Sequence, residues 1–309
     1  MNTLAEPVSD AVPEVEAPPS TAAHAVRPFF WSVRRELWET RSIYIAPLIA
    51  AGVVLFGFLV SARRLAPLVR HMDTQDPSHA AAAYLLPYGI AAFVILGTSL
   101  VVAVFYCLGA LHNERRDRSI FFWKSLPVSD LTAVAAKATI PLAVLPVVTF
   151  VIIVATQLII VGIGSAVLAA AGISPSDLAR FSIFEQVGVL AYAIFTLTLW
   201  HAPVYAWFLL VSVWARRAPF LWAFGAPIAV TIFESVAFGT SVVGHFFWNR
   251  LTGGFGEAFH GGHSGPGELQ LPQIDPIGFF GNPGVWIGLL VAAALLAACV
   301  WLRRYREPV

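Results

Sequence analysis

The sequence predicts an all-α integral membrane protein with six transmembrane helices, an amphipathic interfacial helix at the N-terminus and a short cytoplasmic helix between spans two and three. Hydrophobic residues make up 58% of the 309 residues and charged residues only 12%, about half the charged share of a soluble domain. The apolar runs are continuous, whereas barrel strands alternate. Most of the charge lies in short segments between these runs.

Six apolar runs are long enough to cross a bilayer core of about 30 Å, which needs about 20 helical residues. They lie at roughly 43–62, 84–111, 138–162, 187–214, 220–239 and 285–302. The interval 138–176 carries no charged residue and could hold two spans with a turn at 162–164. The charge pattern favours one tilted span, kinked at Pro141 and Pro146, with an outer-surface helix near 165–171.

Basic residues concentrate on one side of the expected bundle. Four arginines precede span one, five basic residues lie between spans two and three, two join spans four and five, and three follow span six. The positive-inside rule therefore predicts a multi-pass protein with both termini in the cytoplasm. Arg63, Arg64 and Arg70 are exceptions on the outer side. The net charge of +1 predicts no nucleic-acid partner.

The N-terminus divides into a tail and a helix. Residues 1–27 are rich in Ala, Pro and Glu without an apolar signal core, which predicts a disordered cytoplasmic tail before a six-helix domain at 28–309. Residues 28–41 predict an amphipathic helix with Pro28 in its first turn. One face is mainly apolar and the other charged: Phe30, Val33, Leu37 and Trp38 against Arg34, Arg35, Glu36 and Glu39. This helix either anchors the chain in the interface or holds a partner subunit.

Four common catalytic and nucleotide-binding motifs are missing from the sequence. The pattern GxxxxGK[ST] does not occur, nor do GxSxG, HExxH or CxxC. We therefore expect no enzyme activity, no nucleotide site and no bound cofactor in this chain. His260 and His263 in a glycine-rich loop are too weak a pattern to predict a metal site. Cys107 and Cys299 fall in spans and are expected to be packing residues.

Two ionisable residues lie inside predicted spans. His201 and Glu234 are each about 20 Å from the inner end of their span at 1.5 Å per residue, so they could meet. Ionisable groups in spans usually line a cavity or pair with each other. The two residues are therefore either a polar point in a translocation path or a structural hydrogen bond between helices.

Residues 112–130 combine charge and aromatic side chains between two apolar runs. Ser119 to Leu126 predict a short helix ended by Pro127, and Ser129 or Asp130 could cap the next helix. A solvated loop explains the arginines but not the aromatic residues among them, which are typical of a protein interface. The candidate contact residues are Glu114, Arg115, Arg116, Arg118, Ser119, Phe122, Trp123, Leu126 and Pro127.

These residues resemble a known family. Glu114, Ser119-Ile120 and Leu126-Pro127-Val128-Ser129 resemble the Glu-x-x-x-x-Thr/Ser-aliphatic and Leu/Thr-x-Pro-aliphatic-Ser pattern that follows the second span of type-2 ATP-binding-cassette (ABC) permeases. Members have six spans, an N-terminal amphipathic helix and both termini inside. The family commonly has Gly where this chain has Arg118.

The resemblance implies a permease subunit of an exporter in the bacterial inner membrane. The segment after span two would be a coupling helix that docks on a separate ATPase subunit, which holds ATP and Mg. Glu114 would lie at the mouth of that contact, with Phe122, Trp123 and Leu126 in the ATPase groove. The implied partners are the ABC ATPase, a second permease copy as homodimer or heterodimer, and membrane lipid.

Two other classes stay open. An ion- or proton-coupled carrier using His201 and Glu234 would transport without an ATPase and usually contains internal repeats, which we do not find here. A membrane scaffold or sensor would use residues 112–130 to recruit a partner that does not hydrolyse ATP. Peptides, drugs, lipids and polysaccharide are all open as substrates, with peptide or drug export favoured.

Overall fold

The computed structural model describes residues 21–65, 67, 77–116, 129–172, 183–253, 259–260 and 273–305. These residues form eleven α-helices, one π-helical turn and one pair of two-residue strands. The helices are α1 Thr21–Glu39, α2 Ser42–Ala62, α3 Pro77–Ala110, α4 His112–Arg116, α5 Asp130–Thr139, α6 Leu145–Ala170, α7 Ile183–Trp214, α8 Pro219–Phe238, α9 Val242–Thr252, α10 Pro276–Gly281 and α11 Pro283–Tyr305. The π-helical turn is Ile140–Val144, and β1 Phe259–His260 pairs antiparallel with β2 Gln273–Ile274.

Six helical stretches are long and apolar enough to cross a membrane. They are Ser42–Ala62, Leu86–Arg116, Asp130–Ala170, Glu185–Trp214, Pro219–Phe238 and Pro283–Tyr305. The prediction of an all-α protein with six spans is thereby confirmed at the level of helix length and composition. Large apolar side chains such as Phe56, Phe93 and Phe105 lie exposed on the outside of the bundle, which suits lipid tails as surroundings.

The third span differs from its prediction. α5, the π-helical turn and α6 follow one another without a break from Asp130 to Ala170. The alternative of two spans within 138–176 is therefore wrong, and residues 165–170 continue the span instead of forming a separate surface helix. Glycines at 162 and 164 cost a helix about 1 kcal/mol each, which the apolar flanks outweigh. The π-helical turn holds Pro141, at the position where a kink was expected.

α1 also differs from its prediction. It begins at Thr21, inside the predicted tail, so Pro28 lies within the helix and not in its first turn. Residues 1–20 fall outside the described part of the chain. Val33 and Leu37 pack against the core, as their spacing predicts. Phe30 and Trp38, expected on the same face, are exposed at 58% and 66%, whereas Glu36 is buried.

We call the end of the bundle where α3 and α11 end and α5 begins the basic end. The largest buried core lies towards this end and joins residues of α2, α3, α5, α7, α8 and α11. Cys107 and Cys299 are free and buried within it, which confirms their prediction as packing residues. α1 packs against α5, and α7 packs most extensively against α11.

α9 turns back towards the bundle after α8. Gly239, with φ of 68°, ends α8 in the left-handed conformation that glycine adopts without a steric penalty. α9 then packs against both α8 and α7. Its residue Arg250 reaches Trp200, which lies 14 residues before Trp214, or about 21 Å from the C-terminal end of α7 at 1.5 Å per residue.

Candidate functional site

Glu114 is the predicted contact residue whose surroundings the structure defines best. The short helix α4 places it at the basic end, where it is only 8% exposed. One carboxylate oxygen lies 3.0 Å from Nζ of Lys137 and the other lies 3.0 Å from Nη1 of Arg303. Two cations from two other helices therefore share this one carboxylate.

The ion pairs continue on both sides of Glu114. Nζ of Lys137 also lies 2.7 Å from Oε1 of Glu36 on α1. Oε2 of Glu36 accepts a hydrogen bond of 2.8 Å from the hydroxyl of Tyr106 on α3. Nε of Arg303 lies 3.1 Å from Oδ1 of Asp130 at the start of α5. We call these side chains the charge cluster: Glu36, Tyr106, Glu114, Asp130, Lys137 and Arg303.

The charge cluster holds three carboxylates and two cations, and all but Asp130 are buried. Taking charges out of water costs several kcal/mol for each ion, and only close geometry with further hydrogen bonds repays it. Here each cation contacts two carboxylates. Such a cluster is weak support for stability, but removal of either cation leaves buried carboxylates with less compensation of their charge.

Arg303 brings together the two chain segments that flank residues 117–128. Its guanidinium contacts Glu114, three residues before that interval, and Asp130, two residues after it. Ser129 caps α5, with its hydroxyl accepting from the backbone N–H of Thr132 at 3.1 Å. The prediction that Ser129 or Asp130 caps this helix is therefore confirmed for Ser129.

Arg115 ties α4 to the end of α7. Its guanidinium donates to the carbonyl of Val213 and, at 3.0 Å, to that of Ala215. The hydroxyl of Ser212 accepts from the backbone N–H groups of Leu111 at 3.0 Å and His112 at 2.8 Å. A cation at the last carbonyls of a helix satisfies groups that have no partner within the helix and complements the helix dipole.

The other predicted contact residues divide into two groups. Arg116 ends α4 and is exposed. The rest fall outside the described residues, so the predicted helix at 119–126 and its aromatic face stay predictions: Arg118, Ser119, Phe122, Trp123, Leu126 and Pro127.

His201 and Glu234 occupy separate surroundings. His201 is 2% exposed and its Nδ1 lies 2.8 Å from the carbonyl oxygen of Leu197. Glu234 accepts from the backbone N–H groups of Val242 at 2.7 Å and Val243 at 2.9 Å, which places its carboxylate at the first turn of α9. These two residues form no ion pair with each other in the described part of the chain, so the structure gives each of them a local role.

A buried cation at the far side of the bundle was not predicted from the sequence. Arg250 is 3% exposed and donates to the carbonyls of Trp200, at 3.4 Å, and Gly284. Its guanidinium carbon lies 4.2 Å from the centre of the Trp200 ring, a cation–π contact. A Cβ at Gly288 would lie 2.6–2.8 Å from the guanidinium, so the absence of a side chain there makes the space. Removal from water lowers the pKa of Arg250, which still stays charged at neutral pH.

The described side chains offer no metal site, and the cavity that they enclose beside the π-helical turn is small. Among them, no group of three or more His, Cys, Asp and Glu could hold a metal ion. A cavity of about 30 Å³ lies between α3, α6 and α7 beside the π-helical turn, lined partly by Ser99, Thr149 and Thr198. That volume suits about one or two water molecules and no larger substrate. Comparison of the chain with models of protein families, curated proteins and solved structures found no match.

Five of the six members of the charge cluster were not among the predicted site residues. Lys137 and Arg303 counted only among the basic residues that orient the spans, Glu36 as part of a polar face and Asp130 as a possible helix cap. The available signal was position: Lys137 borders the charge-free run at 138–176, and Arg303 follows the last span. A charge at the edge of a span must either reach water or find a partner.

Proposed function

We propose that this chain is the membrane-spanning permease subunit of an ATP-driven ABC exporter of the bacterial inner membrane. A separate ATPase subunit would bind ATP and Mg, dock on the segment after span two and drive substrate translocation. The observation that carries the proposal is the charge cluster, because it links both flanks of that segment to α1 and α11.

The cluster supports a mechanical role for residues 112–130. A push on residues 117–128 reaches Glu114 on one side and Asp130 on the other, and both carboxylates hold the same arginine, Arg303. Because Arg115 bonds to a carbonyl at the end of α7, a movement of α4 would also move that end of α7. A docked subunit would therefore move α4, α5, α7 and α11 together at the basic end, with α1 attached through Glu36.

The exposure of span five supports a second permease copy. In α8 only Ala223 is buried, and its exposed residues include Phe233, Val236 and Phe238. A span with so little contact to its own bundle has a surface free for a second subunit or for lipid. The cavity between α3, α6 and α7 has room only for water. The substrate path would lie between two copies, lined by spans two and five and the outer loop. Peptides or drugs are the favoured substrates.

The proposal is tested by purifying the tagged protein in mild detergent and measuring ATPase activity in the eluate. A stoichiometric ATPase subunit whose activity requires this chain is the expected result. Phe122→Ala with Trp123→Ala should abolish ATPase association and leave membrane insertion intact. Trp301→Ala with Tyr305→Ala is the matched control, since these aromatic side chains are 60% and 63% exposed on α11 at the same end.

Two results would contradict the proposal. Unchanged co-purification of the double variant at 122 and 123 would reject the coupling helix. A homomer that transports in liposomes without any ATPase would reject the whole family assignment and favour a carrier. His201 and Glu234 would then be the residues to change next.

A further inference from the structure

α1 presents two opposite faces, of which the charge cluster uses only one. Glu36 lies on the buried face. At about 100° per residue, Trp31, Arg34 and Trp38 fall within about 60° of one another on the opposite face. The two tryptophans are 57% and 66% exposed, and Arg34 is exposed between them. We call these three residues the Trp-Arg stripe.

Arg34 is held by the two rings of the stripe. Its guanidinium carbon lies 5.1 Å from the centre of the Trp31 ring and 4.7 Å from that of Trp38. Among the described residues, Arg34 forms no ion pair. Its neighbour Arg35 differs, because Nε of Arg35 lies 2.6 Å from a carboxylate oxygen of Glu39. The stripe therefore carries an exposed, oriented and uncompensated positive charge between two aromatic faces.

The buried face fixes the depth of α1. Glu36 bonds to Lys137 of span three and to Tyr106, which lies four residues before the end of α3. α1 therefore lies beside the ends of spans two and three and not out in the cytoplasm. Arg41, exposed and directly before the first residue of α2, marks the same level. The Trp-Arg stripe points away from the bundle at the height where a membrane places its headgroups.

We propose that the Trp-Arg stripe binds the headgroup of an anionic phospholipid in the leaflet at the basic end. Tryptophan rings prefer this level of a bilayer. The planar guanidinium of arginine matches a phosphate group with two parallel hydrogen bonds, and anionic lipids attract exposed cations at the membrane surface. This inference goes beyond the exporter proposal and does not depend on an ATPase.

The test compares two arginines on the same helix. Wild type, Arg34→Gln and Arg35→Gln are reconstituted in nanodiscs of phosphatidylcholine with phosphatidylglycerol and extracted into detergent. Native mass spectrometry then measures the ratio of retained phosphatidylglycerol to phosphatidylcholine. Each variant removes one positive charge, so a general surface potential affects both equally. We expect Arg34→Gln to lower the ratio about tenfold, the value of one hydrogen bond to a charged group, and Arg35→Gln, whose side chain is paired with Glu39, to leave it near wild type.

Three outcomes would overturn the inference. An equal loss in both variants would mean that only overall charge matters, and an unchanged ratio in Arg34→Gln would mean that the stripe binds no anionic lipid. Loss of a co-purifying protein from Arg34→Gln with lipid retention unchanged would assign the stripe to a protein partner. If Arg34→Gln fails to fold, Trp31→Leu replaces it, with the same lower ratio expected.

Discussion

The two ends of the bundle bury positive charge in different ways. At the basic end, Lys137 and Arg303 each lie between two carboxylates. On the far side, Arg250 has two backbone carbonyls and the Trp200 ring as its partners. A carboxylate attracts a cation through its full negative charge. Backbone carbonyls and an aromatic ring carry no net charge, so they bind the planar guanidinium only in a matching geometry. The first arrangement therefore depends on charge, and the second depends also on the planar shape of the guanidinium.

The largest expected effect comes from removing a cation at the basic end. Lys137→Met leaves Glu36 and Glu114 buried without their shared partner, and loss of one member of a buried ion pair costs about 3–5 kcal/mol. Thermal unfolding in detergent measures the loss. Arg304→Gln is the control, because Arg304 is exposed on α11 and should change stability by about 0.5 kcal/mol or less. A wild-type melting temperature for Lys137→Met would show that the cluster does not hold these helices together.

The next effect should come from filling the space around Arg250. Gly288→Ala places a methyl group 2.6–2.8 Å from the guanidinium, which must then leave its carbonyl and ring partners. Overpacking of a tight site costs about 1–3 kcal/mol. Gly162→Ala is the matched control, since it also lies in a spanning helix but has nothing within 4 Å of the added carbon. Equal melting temperatures for the two variants would argue that the shape of this site is not critical.

A smaller effect should come from changing the shape of the far-side cation while keeping its charge. Arg250→Lys retains the positive charge but loses the flat group that lies 4.2 Å from the centre of the Trp200 ring. We expect a loss of about 1–2 kcal/mol of stability, measured by thermal unfolding. Full stability with lysine would mean that charge alone matters there, and the contrast between the two ends would fail.

The smallest expected effect belongs to the edge of the charge cluster. Tyr106→Phe removes the hydrogen bond of 2.8 Å to Glu36 but keeps the ring and the ion pair with Lys137. A hydrogen bond to a charged group is worth about 1.5–3 kcal/mol, although Lys137 continues to compensate Glu36, so about 1 kcal/mol is expected. Thermal unfolding of the wild type and of Tyr106→Phe in detergent measures this loss of stability. A loss of stability as large as that of Lys137→Met would mean that the hydrogen bond from Tyr106 matters as much as the ion pairs of Lys137.

The spans could be predicted because length and apolar composition act locally along the chain. Ser129 could be predicted as a cap for the same reason, since its bond to Thr132 joins residues three apart. The charge cluster could not, because Lys137 and Glu36 lie 101 residues apart and Arg303 and Glu114 lie 189 apart. Periodicity gives the residues that share a helix face, but tertiary packing decides which way that face turns. The exposed Trp38 and buried Glu36 illustrate that limit.

Arg250 was missed for a related reason. Its carbonyl partners carry no signature in the sequence, because every residue has a backbone carbonyl. Gly288 makes room for Arg250, but nothing in the sequence distinguishes it from the other glycines of the chain. Only the return of α9 along α7 brings these features together.

The π-helical turn at Ile140–Val144 also sets a rotational phase between the two halves of span three. A π-turn accommodates one residue more than an α-turn, and one residue corresponds to about 100° of rotation. Lys137 before the turn and Thr149 after it both face the interior, where Thr149 donates to Ser99 at 2.8 Å. In a regular α-helix the twelve steps from Lys137 to Thr149 would place the two side chains about 120° apart, and the surplus residue of the π-turn takes up about 100° of that difference. The one additional residue of the π-turn therefore lets Lys137, at the charged end of span three, and Thr149, in its membrane part, face the same side of the helix.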